Sequence, residues 1–234
     1  MKVNNINTVI EPKNKQQNKA VVTAASVAGS ALGIAGTVAG LYAMAKKGNP
    51  AASLMNLKFA EKDVLLIGAG SVLGGLTGGL IADKNKENVK PKLREASQQF
   101  FGNTLFPIVS STLANNALDK SGFKLPQINS NSKWAKVANT ILGAAPKVVV
   151  TVGSLVGGMG LGNIVMNAVN NKIFKEDVKN SVAPEDMLVH SDDICMTANV
   201  LFKDAKAISS VTSKALPLTM LLPGAKTGMK QKEC

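Results

Sequence analysis

DVLLIGAGSVLGGLTGGLIADK, residues 63–84, admits two readings that lead to different folds. In the first, VLLI is a strand, and the glycines after it form a turn that cradles a nucleotide phosphate. In the second, Val64–Ala82 is a charge-free helix whose small residues let a neighbouring backbone approach. The dinucleotide fingerprint requires glycines at fixed offsets after a strand and an acidic ribose partner about 20 residues on. Gly68 and Gly70 fit its first two positions, but its third falls on Leu73, and the next glycine is Gly74. Asp83 comes too early to be the ribose partner, and no second strand precedes Glu87 or Glu95. The helix reading accounts for more of the stretch. Gly70, Gly74 and Gly78 recur every four residues and so share one helical face, with Gly75 and Gly79 in a row beside them.

The same pattern recurs on either side. Residues 20–45, AVVTAASVAGSALGIAGTVAGLYAMA, carry no charged side chain and match the length of a membrane-spanning helix. Gly29 and Gly33 form one small pair there, and Gly36 and Gly40 another. Tyr42 is placed for an interface, with Lys46 and Lys47 beyond it. Further on, Val148–Asn171 is again uncharged, with Gly153/Gly157 on one face and Gly158/Gly162 on another. Lys147, at its edge after Pro146, reaches toward water along its apolar stem. Residues 96–118 are also uncharged, but Gln98, Gln99, Asn103, Asn115 and Asn116 make this block far less apolar. It reads as a span whose polar side chains face other helices, or as an interfacial hairpin with Phe100, Phe101 and Phe106 in the apolar layer. Pro107 predicts a kink or break.

The expected fold is therefore mainly α: a glycine-rich helical membrane protein with three or four spanning helices and an interfacial or soluble C-terminal segment. Residues 1–19 read as a flexible basic tail. The helical membrane region covers 20–171, with candidate spans 20–45, 64–82, 96–118 and 148–171. Residues 172–234 read as a mixed short-helix and loop tail, cytoplasmic or interfacial. In this tail SKALPLTMLLPGAK, broken by Pro217 and Pro223, reads as a docked hairpin or interfacial piece. With four spans, the basic residues of the segments flanking them divide 12 against 9 between the two sides, and the expectation is a multi-pass protein with cytoplasmic termini.

Net charge is +12, which invites a nucleic-acid reading. Arg94 is the sole arginine, and there is one Trp and one Tyr, so neither base readout nor a stacking platform is supplied. No specific nucleic-acid partner is expected. The lysines between apolar blocks suit membrane lipids, including anionic headgroups. The glycine rows serve packing within one chain or in a homo-oligomer.

No catalytic, metal or cofactor site emerges. His190, Asp192, Asp193 and Cys195 are the nearest thing to a chemical cluster, but the chain has one His, and its other cysteine is Cys234. That set falls short of the usual four zinc ligands or of a nucleophile–base pair held in geometry. The function expected is a non-enzymatic membrane-embedded structural or scaffold protein packed through small-residue helix faces. The alternatives are a pore-forming or membrane-perturbing protein and a Rossmann-like nucleotide-binding protein or enzyme.

Overall fold

A computed structural model describes residues 13–51, 53, 54, 57, 59–176 and 217–232. Among these residues the chain is mainly helical. Helix α1 spans Lys13–Gly48, α2 Glu61–Ala82, α3 Val89–Ser97, α4 Phe106–Ser121, α5 Lys133–Val169 and α6 Leu221–Met229. A short 3-10 turn, Lys86–Asn88, precedes α3. Two π-helical segments, Gln98–Leu105 and Asn170–Phe174, follow α3 and α5 without a break in helical backbone. Helix α1 starts inside the stretch read as a flexible tail, so only residues 1–12 of that tail lie outside the described residues.

Three helical runs are long and apolar enough to cross a membrane: Asn18–Gly48, Glu61–Ala82 and Lys133–Phe174. The 22 residues of α2 reach about 33 Å at 1.5 Å per residue, close to the thickness of a hydrocarbon layer. The start of α2 is fixed by Asp63, whose carboxylate accepts the Ala60 N–H at 2.8 Å. For α5, the Ser132 hydroxyl accepts the Ala135 N–H at 3.1 Å. This cap starts α5 fifteen residues before the 148–171 span read from sequence, and Pro146 lies inside the helix.

The polar block around 96–118 belongs to one continuous column, α3–π–α4, running from Val89 to Ser121. Pro107 does not break it. A proline has no N–H to give and crowds the carbonyl four residues back. Here the turns just before it are already widened, the Phe106 N–H bonding to the Phe101 carbonyl five residues back. The column ends at Gly122, whose φ of 64° is the left-handed conformation that glycine adopts without strain.

Side-chain contacts fix the directions of the helices. Ser30 meets Ser71 and Gly33 meets Gly70, so α1 and α2 are antiparallel. Thr112 bonds to Glu61 at one end of the bundle, while Asn88 bonds to Asp83 at the other, so the α3–π–α4 column runs antiparallel to α2. Asn115 bonds to Thr151 and Arg94 to Glu176, which sets α5 antiparallel to that column. The apolar core, with Ile34, Leu41, Val64, Ile67, Ile108 and Met220, lies between α1, α2, α4 and the entry to α6.

Candidate functional site

The closest backbone approaches lie along α2. On one face, a methyl group added at Gly74 would run into the carbonyl oxygen of Gly29, and one at Gly33 into that of Gly70. Gly78 continues the row against the carbonyl of Ala25. On the neighbouring face, Gly75 lies against Gly224 and Gly79 against Gly228, both from α6. Only hydrogen side chains permit this depth of contact on two faces at once. In the other helix pair, Gly162 meets Gly102, and Gly158 meets Phe106 and Pro107. The structure brings no atom within 4 Å of the Cβ position at Gly36, Gly40, Gly153 or Gly157, so these four face open space.

Helix α6 is too short to cross a bilayer, and both of its ends meet polar groups. Near its start, the Ser71 hydroxyl donates to the Met220 carbonyl, and the Ser30 hydroxyl donates to the Leu221 carbonyl at 3.2 Å. The two hydroxyls are themselves 2.8 Å apart, and both serines are fully buried. At the far end, the Lys92 ammonium donates to the carbonyls of Gly228 and, at 3.0 Å, Lys230. A cation there offsets the partial negative charge of a helix C-terminus. Lys92 is 0% exposed and is paired with Asp83, its Nζ 3.1 Å from Oδ2.

Asp83 is held in turn by the Asn85 N–H at 3.0 Å and the Asn88 amide at 2.9 Å. Burial pushes the Asp83 carboxyl up. The Asn85 N–H, the Asn88 amide and the Lys92 ammonium outweigh burial and leave it below its ordinary value near 3.8. Asn88 also accepts the Lys232 N–H at 2.9 Å, which ties the chain beyond α6 to the same knot. A buried charge pair of this kind is stable only when its remaining hydrogen-bonding capacity is filled, as it is here.

A second polar cluster joins the π-helical segment to α5. The Gln98 amide donates to Asn163 Oδ1 at 2.7 Å; Asn103 donates to Gln99 at 3.3 Å, and Gln99 to Glu95 at 2.7 Å. Gln98, Gln99, Asn103, Thr104 and Asn163 are all buried. Asn170, fully buried at the end of α5, has no partner among the described residues for either side-chain polar atom. Large apolar side chains lie outside: Leu32 is 73% exposed, Ile81 80% and Ile164 68%.

Sequence reasoning did not find α6, Lys92 or the Gln98–Asn163 bond. A signal for α6 was present: Gly224 and Gly228 repeat the spacing of four seen in the other helices. The segment read as a docked hairpin or interfacial piece holds α6, which packs against both α1 and α2, with Gly224 and Gly228 facing Ser30 and Ser26 on one side and Gly75 and Gly79 on the other. Gly68 and Gly70 sit in the middle of α2, against Thr104 and Thr37, with no strand-to-helix turn to cradle a phosphate. His190, Asp192, Asp193, Cys195 and Cys234 lie outside the described residues. Among the described residues, no group of three or more His, Cys, Asp or Glu side chains is placed to hold a metal.

No family model matches the chain, and neither the curated proteins nor the solved structures contain a significant match. The three candidate spans support a multi-pass membrane location.

Proposed function

We propose that this chain is a non-enzymatic structural protein of a membrane that crosses the bilayer four times. The observation that carries this reading is an apolar outer surface around an interior that holds polar side chains beside its apolar core. Ser26, Ser30, Ser71, Lys92, Gln98, Gln99, Asn103 and Asn163 are buried, while Leu32, Leu73, Ile81, Val149 and Ile164 face outward. In water such an outer surface is a large aggregation-prone patch, whereas in lipid it is the expected solvent-facing surface. The third crossing is the α3–π–α4 column. Gln98, Gln99 and Asn103 are buried and hydrogen-bonded, Gln98 to Asn163 of α5 and Asn103 to Gln99, which lowers the cost of inserting this half of the column.

In this reading the glycine seams set a rigid bundle, and α6 is a re-entrant piece whose end carbonyls are satisfied by Ser30, Ser71 and Lys92. A scaffold role gives the open pairs Gly36/Gly40 and Gly153/Gly157 a use, as faces for a second helix of another copy. Membrane fractionation followed by alkaline carbonate and detergent extraction tests the core of the proposal. Retention in the carbonate pellet and release by detergent is the expected result. Monodisperse soluble protein without detergent overturns it.

A further inference from the structure

An apolar groove of about 460 Å³ opens between the π-helical segment and the last turns of α5, lined by Phe101, Leu105, Phe106, Val165, Met166 and Ile173 among others. A shallower hollow shares Val165, Val169 and Ile173 with it and ends at Lys172. Together they form one apolar track, its head at Ser97 and Lys172 and its foot at Phe106. From Ser97 to Phe106 the column rises about 14 Å, roughly half a hydrocarbon core. Charge gathers at the head. Glu176 is shared by Lys90 at 3.1 Å and by Arg94, and Lys172 and Lys175 lie in and just after the π-helical segment that leads into Glu176. Among the described residues near the head, Lys90, Arg94, Lys172 and Lys175 outnumber Glu95 and Glu176. Lys172 has no ion-pair partner among the described residues.

We infer that this track holds one acyl chain of an anionic phospholipid, with the headgroup at Lys172 and the chain lying toward Phe106. The inference rests on the membrane reading and adds to it a specific lipid with a specific seat. A half-bilayer track with an unpaired cation at its outer end fits a lipid with one phosphodiester and a further uncharged or anionic headgroup. A zwitterionic lipid brings its own ammonium to the Lys172 end and loses the charge match.

The test is native mass spectrometry of the full-length protein released from detergent after incubation with equal amounts of phosphatidylglycerol and phosphatidylcholine. One phosphatidylglycerol is expected to survive at collision energies that strip phosphatidylcholine. Lys172→Gln should cut that preference about fivefold without reducing phosphatidylcholine retention. Val169→Trp, which fills the track, should lower retention of both lipids, and unchanged helicity by circular dichroism would show that the bundle persists. Equal retention of the two lipids by the native chain, a preference unmoved by Lys172→Gln, or retention unmoved by Val169→Trp overturns the inference. Failure of the membrane reading looks different: the protein then leaves membranes in carbonate and stays monodisperse without detergent or lipid.

Discussion

Gly29 and Gly74 oppose each other across α1 and α2, each one's missing side chain directed at the other's carbonyl oxygen. Neither backbone can yield without separating the helices, so Gly74→Ala should destabilise the bundle by about 1–3 kcal/mol. Gly36→Ala meets open space and removes a glycine from a helix interior, so it should be neutral or stabilising by up to about 1 kcal/mol. Unfolding in detergent followed by circular dichroism compares the two. Equal losses would mean that helix propensity, not contact, decides both sites.

Lys92 and Asp83 form the buried knot that holds the end of α6. Lys92→Met leaves Asp83 buried without its cation and the Gly228 carbonyl without its donor, a loss of about 3–5 kcal/mol for this type of pair. Amide hydrogen exchange should then accelerate across Leu221–Met229 before it does so in α2. Protection that stays unchanged in α6 would show that its glycine contacts suffice.

The same knot predicts an acid response. Asp83 titrates below its ordinary value in the folded protein, so its contribution is complete above about pH 4. It is lost as pH falls through the depressed folded value, when protonation removes the charge facing Lys92. Exchange in α6 should therefore be flat from pH 7 to 5, after correction for the intrinsic rate, and should rise in strong acid. Asp83→Asn should show weakened docking already at neutral pH and no further acid step from this group.

What was legible in the sequence follows from what each residue type signals. Charge-free runs with glycine every fourth residue announced α1, α2 and the second half of α5, because lipid tolerates only such runs and close packing needs such spacing. The α3–π–α4 column was ambiguous because Gln98, Gln99 and Asn103 look alike whether they face water or one another. Only the partner Asn163, 65 residues away, decides it. Helix α6 was obscured by Pro223, which reads as a breaker but sits in the first turn, where its missing N–H costs little. Lys92 sits in a charged connector where Asp83 is near in sequence, but nothing local reveals that its two carbonyl partners come from beyond residue 220.

Asn170 and Gln98 should respond in opposite ways. Gln98→Leu strands the carbonyl of Asn163 and should cost about 1–3 kcal/mol. Asn170 has two buried polar atoms and no partner for either among the described residues, so Asn170→Leu removes an existing penalty. That variant should be neutral or stabilising by a similar amount in the same detergent unfolding assay. A marked loss at Asn170 instead would point to a bound water or other ligand filling its two polar atoms.

The proposed four crossings, one more than the three long apolar helical runs, make a prediction about sides. Lys47 and Lys120 close the ends of α1 and α4, at the end of the bundle where Thr112 meets Glu61. Lys86 and Lys232 lie at the opposite end, with Glu87 bonded to Lys232 at 3.3 Å. Single cysteines placed at these lysines in a chain with Cys195 and Cys234 replaced by serine should therefore label as two pairs. A membrane-impermeant maleimide added to sealed, oriented vesicles should reach 47 and 120 together, or 86 and 232 together, before the vesicles are opened. Had the polar column lain along the interface instead of crossing, 120 would label with 86. That outcome would leave three crossings and place Gln98 and Asn103 against headgroups rather than against Asn163. Their burial and mutual bonds argue for four.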